Sequence, residues 1–413
     1  MWVKDQYDVI IAGGSVGGCT LALCYARHGL RVALLEQKPD LSDYKKLCTH
    51  FIQPMALPVL RDLGLDGVME ATGAVPTKAA FWTPAGWIDP PDDYGSDPST
   101  AHAYNVERRI FDPLLRQRVM ASENVDLRMG HRVAGLQAGG DKGWVVETTT
   151  GETSHNLRGR LVVAADGRHS ILAKLLDNPT DSEENERSAL FGYFEGIAAP
   201  ERNRSLFILS EPERGFLYPL CGGRTLLAIY RPKVSAEEWQ EQRASFETGI
   251  KTYFQAFPGV PDVFQGVLVS PVLGYQNYPN LARKTGHQGV AFIGDAALSL
   301  DPLSGVGCGF AIVSANLLAE ATAAALLERD DMAPALAAYE AQFNKVILPH
   351  ARGIRADSVI AKSEEQTFQT YRCIVSSAML QKQFVDLTGR LISPITFQRN
   401  FASAMVKARM ATH

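Results

Sequence analysis

No run of 18 or more uncharged apolar residues occurs in this 413-residue chain. A membrane-crossing helix needs about 20 such residues. The nearest stretch, Ala311 to Leu327, carries Asn316 and Glu320 and is read as a buried or amphipathic helix. No integral membrane association is expected. Nothing resembling a signal peptide precedes the strand-like run Asp8–Ala12, so a cytoplasmic location is expected. Cysteine is sparse: Cys19, Cys24, Cys48, Cys221, Cys308 and Cys373 are scattered, with no CxxC pair. That excludes a disulfide frame or thiolate zinc site of the usual spacing and fits reduced thiols. The nine histidines form no HExxH or other ligand spacing, so no metal is expected. There is no GxSxG nucleophile elbow.

Net charge is also small. Lysine and arginine total 41 against 45 acidic residues, a net of −4. This gives no bulk electrostatic case for nucleic acid or an anionic membrane. No solenoid repeat is present. What is present is ordinary for a folded enzyme: 46% hydrophobic and 21% charged residues, enough to bury a core without staples.

The chain opens as strand (Val9–Ala12), glycine-rich turn, helix (Val16–His28, stopped by Gly29) and strand (Arg31–Glu36), one right-handed βαβ unit. Helices are expected over 53–63 and 107–120. Residues 83–99 hold four prolines and four aspartates and are read as a solvated surface excursion rather than a substrate lid. Residues 143–165 alternate as a hairpin about Gly151. The acidic stretch Asp181–Glu186 is read as a solvated boundary. Strand-like runs at 189–196, 205–209, 215–220 and 225–230 predict a largely antiparallel sheet. A buried strand returns at 290–297, and the chain reads mostly helical from Gly305 onward.

Three motifs carry chemistry. The first is Gly13-Gly14-Ser15-Val16-Gly17-Gly18, between strand and helix, with Glu36 following at the end of the next strand. This is the context of a dinucleotide fingerprint. Gly13 makes the tight turn, Gly18 permits close packing of helix and strand, and the helix N–H groups face a pyrophosphate. Ser15 stands where the pattern has its second glycine. Glu36 is expected to accept from a ribose hydroxyl pair. The second is Val162–Ser170, a buried strand ending in Asp166-Gly167. The third runs from Ala291 through Gly294-Asp295 to Asp301-Pro302-Leu303-Ser304-Gly305-Val306-Gly307, a strand end and a Pro/Gly loop feeding a long helix. The fingerprint alone does not separate FAD from NAD.

In this order and spacing the three motifs resemble the class A flavoprotein monooxygenases of the aromatic-hydroxylase type, relatives of flavin halogenases and geranylgeranyl reductases. The resemblance covers roughly 7–175 and 285–345. It implies an α/β fold: a discontinuous Rossmann-like FAD-binding domain (1–75, 101–180, 281–330), a β-sheet substrate domain (excursion 76–100 and 181–280) and a helical C-terminal part (331–413). It implies FAD held by Gly13, Ser15, Val16, Gly18, Glu36, Gln37, Arg108, Asp166, Asp295, Pro302, Gly305, Val306 and Gly307. Asp295 would bind the ribityl chain and Arg108, in an Arg-x-x-hydrophobic-Asp helix start, would contact the flavin side. Asp166 is read either as nicotinamide-related or as a loop brace.

The implied activity is transfer of one oxygen from O2 to a small, aromatic or natural-product-like organic substrate through a flavin C4a-hydroperoxide. Electrons would come from transient NAD(P)H or from a partner flavin reductase. The family needs no obligatory protein acid or base for oxygen transfer, so no catalytic residue is assigned. The Gly305–Gly307 turn would aim the next helix's N-terminus at anionic reduced flavin. Glycine at 305 and 307 would let backbone approach the ring. The chain departs from the family pattern at Gln37, Ala173, Leu298 and Gly309. The halogenase hallmark W-x-W-x-I-P is absent, and Lys78, in a segment faintly like that carrying the halogenase lysine, is read as a surface or strand-edge residue. The other readings are a halogenase, an ene reductase and a non-catalytic flavin-binding escort.

Overall fold

The computed structural model describes residues 5–48, 50–140, 143–359 and 363–411, with side chains to residue 405. Strand β1 (Gln6–Ala12) leads through a glycine turn into helix α1 (Val16–Arg27) and strand β2 (Val32–Glu36). Strands β3 (Ala79–Thr83) and β4 (Gly86–Ile88) form a hairpin. Helix α2 (Arg108–Met120) precedes β5 (Val125–Met129), β6 (Arg132–Ala138), β7 (Trp144–Thr150) and β8 (Thr153–Ala164). Next come β9 (Arg187–Glu195), β10 (Ser205–Leu209), β11 (Arg214–Pro219), β12 (Arg224–Pro232) and β13 (Val290–Phe292). Helices α3 (Gly307–Glu328), α4 (Met332–Val346), α5 (Leu348–Val359), α6 (Glu364–Val375), α7 (Ala378–Thr388) and α8 (Pro394–Ala411) close the chain.

One eight-stranded sheet has β13, β8, β1, β2 and β5 side by side and parallel, with β7 antiparallel to β8 and β6 antiparallel to β7. Its central strands are apolar runs because both faces are covered: all of β2 and Leu161–Ala164 of β8 are buried. Helix α1 packs against α3. A Cβ on Gly17 would lie 3.5 Å from that of Ala311. Helix α3 is the one helix among the described residues long and apolar enough to cross a membrane, yet most of it is packed inside this core.

A second eight-stranded sheet runs β9, β12, β11, β10, β3, β4, antiparallel except where β10 meets β3. Side chains alternate between its faces. Leu190 and Phe194 pack outward under Trp239, Phe246 and Phe254 of two helices at Ala236–Ala244 and Phe246–Gln255. Phe191, Tyr193, Phe207, Phe216, Tyr218 and Tyr230 point to the other face, toward α6 and α7.

Three local expectations change. Within the acidic stretch, Thr180–Glu183 is an exposed strand tied by Asp181 and Glu183 to Arg355. Residues 83–99 are not a free excursion. They begin in the β3–β4 hairpin, bury Ile88 and Tyr94, and donate Gly95 N–H to Asp386. Lys78 is not a surface residue. It is 2% exposed, its ammonium donates to the carbonyls of Pro90 and Asp92, and burial pulls its pKa down to about 8. A carbonyl cage let the chain bury this charge.

Candidate active site

The turn after β1 is built by steric exclusion. Gly13 has φ +108°, and a Cβ there would sit 2.3 Å from the Ala165 carbonyl oxygen. One on Gly18 would sit 1.8 Å from the Gly13 oxygen. Neither site admits a side chain. Ser15 precedes α1 but makes no capping bond, so the first N–H groups of α1 stay open to the space in front. Glu36 is nearly buried there. One carboxylate oxygen accepts from Gly14 N–H at 2.9 Å, the other from Lys38 N–H at 2.9 Å.

Helix α2 braces this turn with one polar stripe. Arg108, Asp112 and Arg116 fall at i, i+4 and i+8 and all three are buried. Arg108 grips Asp112 with two bonds, 2.6 and 2.9 Å, and donates to the Ser15 hydroxyl at 2.8 Å. Arg116 donates to the carbonyls of Gly14, Leu41 and Asp43. The Arg108 side chain is therefore mainly a tie-bar, reaching Cys308 with its remaining nitrogen at 3.8 Å. Arg116 was not singled out from sequence. Its signal was two arginines and an aspartate on one helical face.

These groups open on a cavity of about 810 Å³, inside the range of about 300–1,000 Å³ typical of ligand sites. Of the expected residues, Gly13, Ser15, Val16, Glu36, Gln37, Arg108, Asp166, Asp295, Pro302, Gly305, Val306 and Gly307 lie on its wall. Gly18 does not. It supports the turn from behind. Asp295 meets Lys45 at 2.8 Å, joining the Gly-Asp strand end to a segment 250 residues away. One Asp166 oxygen accepts from Ile171 N–H at 2.8 Å, so the bracing reading holds for that oxygen. Its other oxygen is buried without a partner, and burial raises the carboxyl's pKa.

His50, another wall residue not anticipated, sits at φ +70°. Arg108 N–H donates to its Nδ1 at 3.1 Å, which leaves the proton on Nε2, donated to Tyr193. Cys48 and Cys308 also line the wall beside Arg108. Their mutual hydrogen bond holds the Cys48 thiol below its ordinary pKa and pushes Cys308 up.

The loop 301–307 is the far wall. Asp301 N–H donates to Asn280, its carboxylate takes Leu303 N–H and Arg187, and Gly305 turns at φ +61°. Gly307 has no positive φ, and a Cβ on it would meet nothing within 4 Å. Space in front of it, rather than backbone conformation, is what glycine preserves.

Behind the loop lies a second cavity of about 290 Å³. Leu303 and Ser304 face it while Pro302, Gly305 and Gly307 face the first, and Phe51 and Asp301 line both. Phe81, Phe207 and Phe216 floor it. Tyr371 and Phe384, from α6 and α7, roof it. The C-terminal helices are thus part of the site, which no local motif signalled. His350, buried on this wall, is pulled down to about 4 by burial and then by Arg390. It stays neutral in the fold but takes a proton below pH 6.5 when unfolded. Stability should therefore fall as pH drops from 6.5 to 4 and level off below. Denaturant titrations should show the native chain losing on the order of 2–3 kcal/mol more than His350→Gln across that window. Equal losses would refute it.

A family model described as the FAD binding domain matches residues 6–347. The chain belongs to that family. FAD is its cofactor, and it is an FAD-dependent oxidoreductase. Digeranylgeranylglycerophospholipid reductase 1 of Methanopyrus kandleri is 27% identical over 357 residues, 81% of this chain and 85% of the relative. The p-nitrophenol 4-monooxygenase PnpA of Pseudomonas putida superposes with TM-score 0.77 at 18% identity, over 94% of this chain and 99% of the other. The flavin-dependent brominase Bmp2 gives 0.75 at 18%, over 97% and 100%. The donor set fits FAD. A glycine cradle that any Cβ would fill, open helix N–H groups and a backbone-anchored carboxylate face one long cavity.

Proposed function

We propose that this chain is an FAD-dependent monooxygenase acting on a small, aromatic or natural-product-like organic substrate. The carrying observation is that loop 301–307 forms a common wall between the large cavity and the aromatic one. In this reading the α1 N-terminus and Gly13–Ser15 hold the pyrophosphate, Glu36 the ribose and Asp295 the ribityl chain. Gln37, Val16 and Arg108 flank them. Loop 302–307 and the start of α3 hold the ring. FAD supplies the electron and oxygen chemistry. The chain's own residues do the rest. The α3 N-terminus favours negative charge at the ring edge. Gly305 brings backbone close. Phe207 and Phe216 exclude water and orient the substrate. The sheet β3, β4 and β9–β12 with the C-terminal helices forms the substrate part, and the segments 1–75, 101–180 and 281–330 the FAD part. Electrons come from NAD(P)H or from a separate flavin reductase, and the enzyme works in the cytoplasm.

Ene reduction is the second reading, supported by the Methanopyrus relative. The 290 Å³ cavity is small for a lipid bearing two long polyprenyl chains. Halogenation is disfavoured because the Lys78 ammonium is spent on two carbonyls and lies on neither cavity wall. The test is turnover of an aromatic library under 18O2. One labelled oxygen in product is expected. A saturated product without oxygen, or a halide-bearing product, would sink the assignment. Lys78→Ala should lower stability by about 1–3 kcal/mol, through the carbonyls left unpaired, and keep oxygen transfer in the folded fraction. Loss of oxygen transfer at unchanged stability would restore a catalytic role for Lys78.

A further inference from the structure

We propose that Arg390 is an anion anchor in the aromatic cavity, so that the substrate is an aromatic acid whose carboxylate docks on this guanidinium. The inference deepens the monooxygenase reading by naming its substrate class.

The charges on the cavity wall carry the argument. Asp301 is paired with Arg187 at 2.9 Å. Asp357 is paired with Arg187 at 3.3 Å and Arg214 at 2.7 Å, and Arg214 also grips Glu211. Those ions satisfy one another. Arg390 has no acidic partner among the described residues. Its Nε is buried with no hydrogen bond, and its one bond from Nη2 is a long 3.4 Å to the Ser304 carbonyl, which Gln53 already serves at 3.2 Å. Burial pulls its pKa down to about 10, with only Tyr94 opposing. The residue is partly buried, and a guanidinium with its Nε out of water and no partner is costly unless something completes it. Its planar fork matches a carboxylate. On the same wall His350 is neutral, with Nδ1 buried and unbonded, so it adds no competing charge.

The backbone offers a second observation. Helix α7 ends in a paired closure: Leu391 N–H bonds to the Asp386 carbonyl and Arg390 N–H to that of Leu387. The residue after the cap in this motif takes a left-handed conformation, which glycine fills at least cost. Here that position, φ +65°, holds Arg390, while the glycine stands one place earlier at φ −74°. Arg390 thus holds its side chain on the cavity wall at a conformational cost.

The cavity also sets size and shape. At about 290 Å³, between Phe81, Phe207, Phe216 and Phe384, it suits one or two fused rings. The anion end would lie at Arg390. The ring would extend toward Phe51, which lines both cavities.

The test uses the FAD-loaded protein and two isosteric probes, 2-naphthoate and 2-naphthamide, titrated by calorimetry. The wild type should prefer the acid by roughly ten- to a hundredfold, the worth of hydrogen bonds to a charged group. Arg390→Gly removes the anchor and relieves the left-handed backbone, so it should fold with an unchanged or higher Tm. It should bind 2-naphthoate at least about tenfold more weakly and 2-naphthamide within about twofold of wild type. Arg390→Lys should recover part of the acid preference. Equal affinity for the two probes in wild type, or an acid preference that survives Arg390→Gly, overturns the proposal. A purely structural Arg390 would instead lower Tm in Arg390→Gly without changing the acid-to-amide ratio. Because the readout is binding, failure of 18O transfer would strike the monooxygenase reading and leave the anchor standing.

Discussion

Gly307→Val is expected to yield a folded protein nearly devoid of FAD. A Cβ at this position meets nothing within 4 Å, and Gly307 lies on the large cavity's wall at the start of α3. The valine therefore costs little as backbone. It even gains a few tenths of a kcal/mol in helix propensity. Its two methyls instead occupy the space proposed for the flavin ring. Flavin per chain should fall from about one to below about 0.1 as purified. Melting must be compared between flavin-free samples, because bound FAD itself raises Tm by mass action. The flavin-free proteins should melt within about 2 °C of each other. A variant that keeps full flavin content would remove the ring from this part of the cavity. A large drop in flavin-free Tm would assign Gly307 to packing.

The opposite pattern is expected at Gly13. Alanine there would place Cβ 2.3 Å from the Ala165 oxygen and 2.6 Å from its carbon, at φ +108°. These are backbone atoms of β8's end, which cannot swing aside as a side chain could. Destabilisation of about 3–5 kcal/mol is expected from strain and overlap together. That would leave little soluble protein with or without FAD. Gly167→Ala is the matching control. Gly167 also has positive φ, +79°, but a Cβ there meets nothing within 4 Å. It should cost only about 1 kcal/mol, for conformation alone. Urea unfolding of both variants separates the two contributions. Similar costs at the two sites would mean that contact with Ala165 does not govern the turn.

The local motifs were legible in the sequence because their physics is local. The Gly13–Gly18 turn, the strand ending at Glu36 and the Gly-Asp strand end are each set by residues a few positions apart. All come to one cavity because parallel strands β1, β8 and β13 lie side by side and end at the same edge. The strand-like runs of β9 to β12 were likewise legible, and their aromatics fell on the inner face, except Phe194 on the outer. Other features arise between segments far apart in the chain. Lys78 reads as an exposed lysine until the carbonyls of Pro90 and Asp92 fold over it. His50 and Lys45 carry no motif, and only their meetings with Tyr193 and Asp295 give them a place. The C-terminal helices show amphipathic spacing, which says that one face is buried but not against what. Only packing of α6 and α7 over the second sheet sets Tyr371, Phe384 and Arg390 around one cavity. Periodicity specifies which side of an element turns inward. Which chemistry meets there depends on long-range burial, which the tertiary fold alone decides.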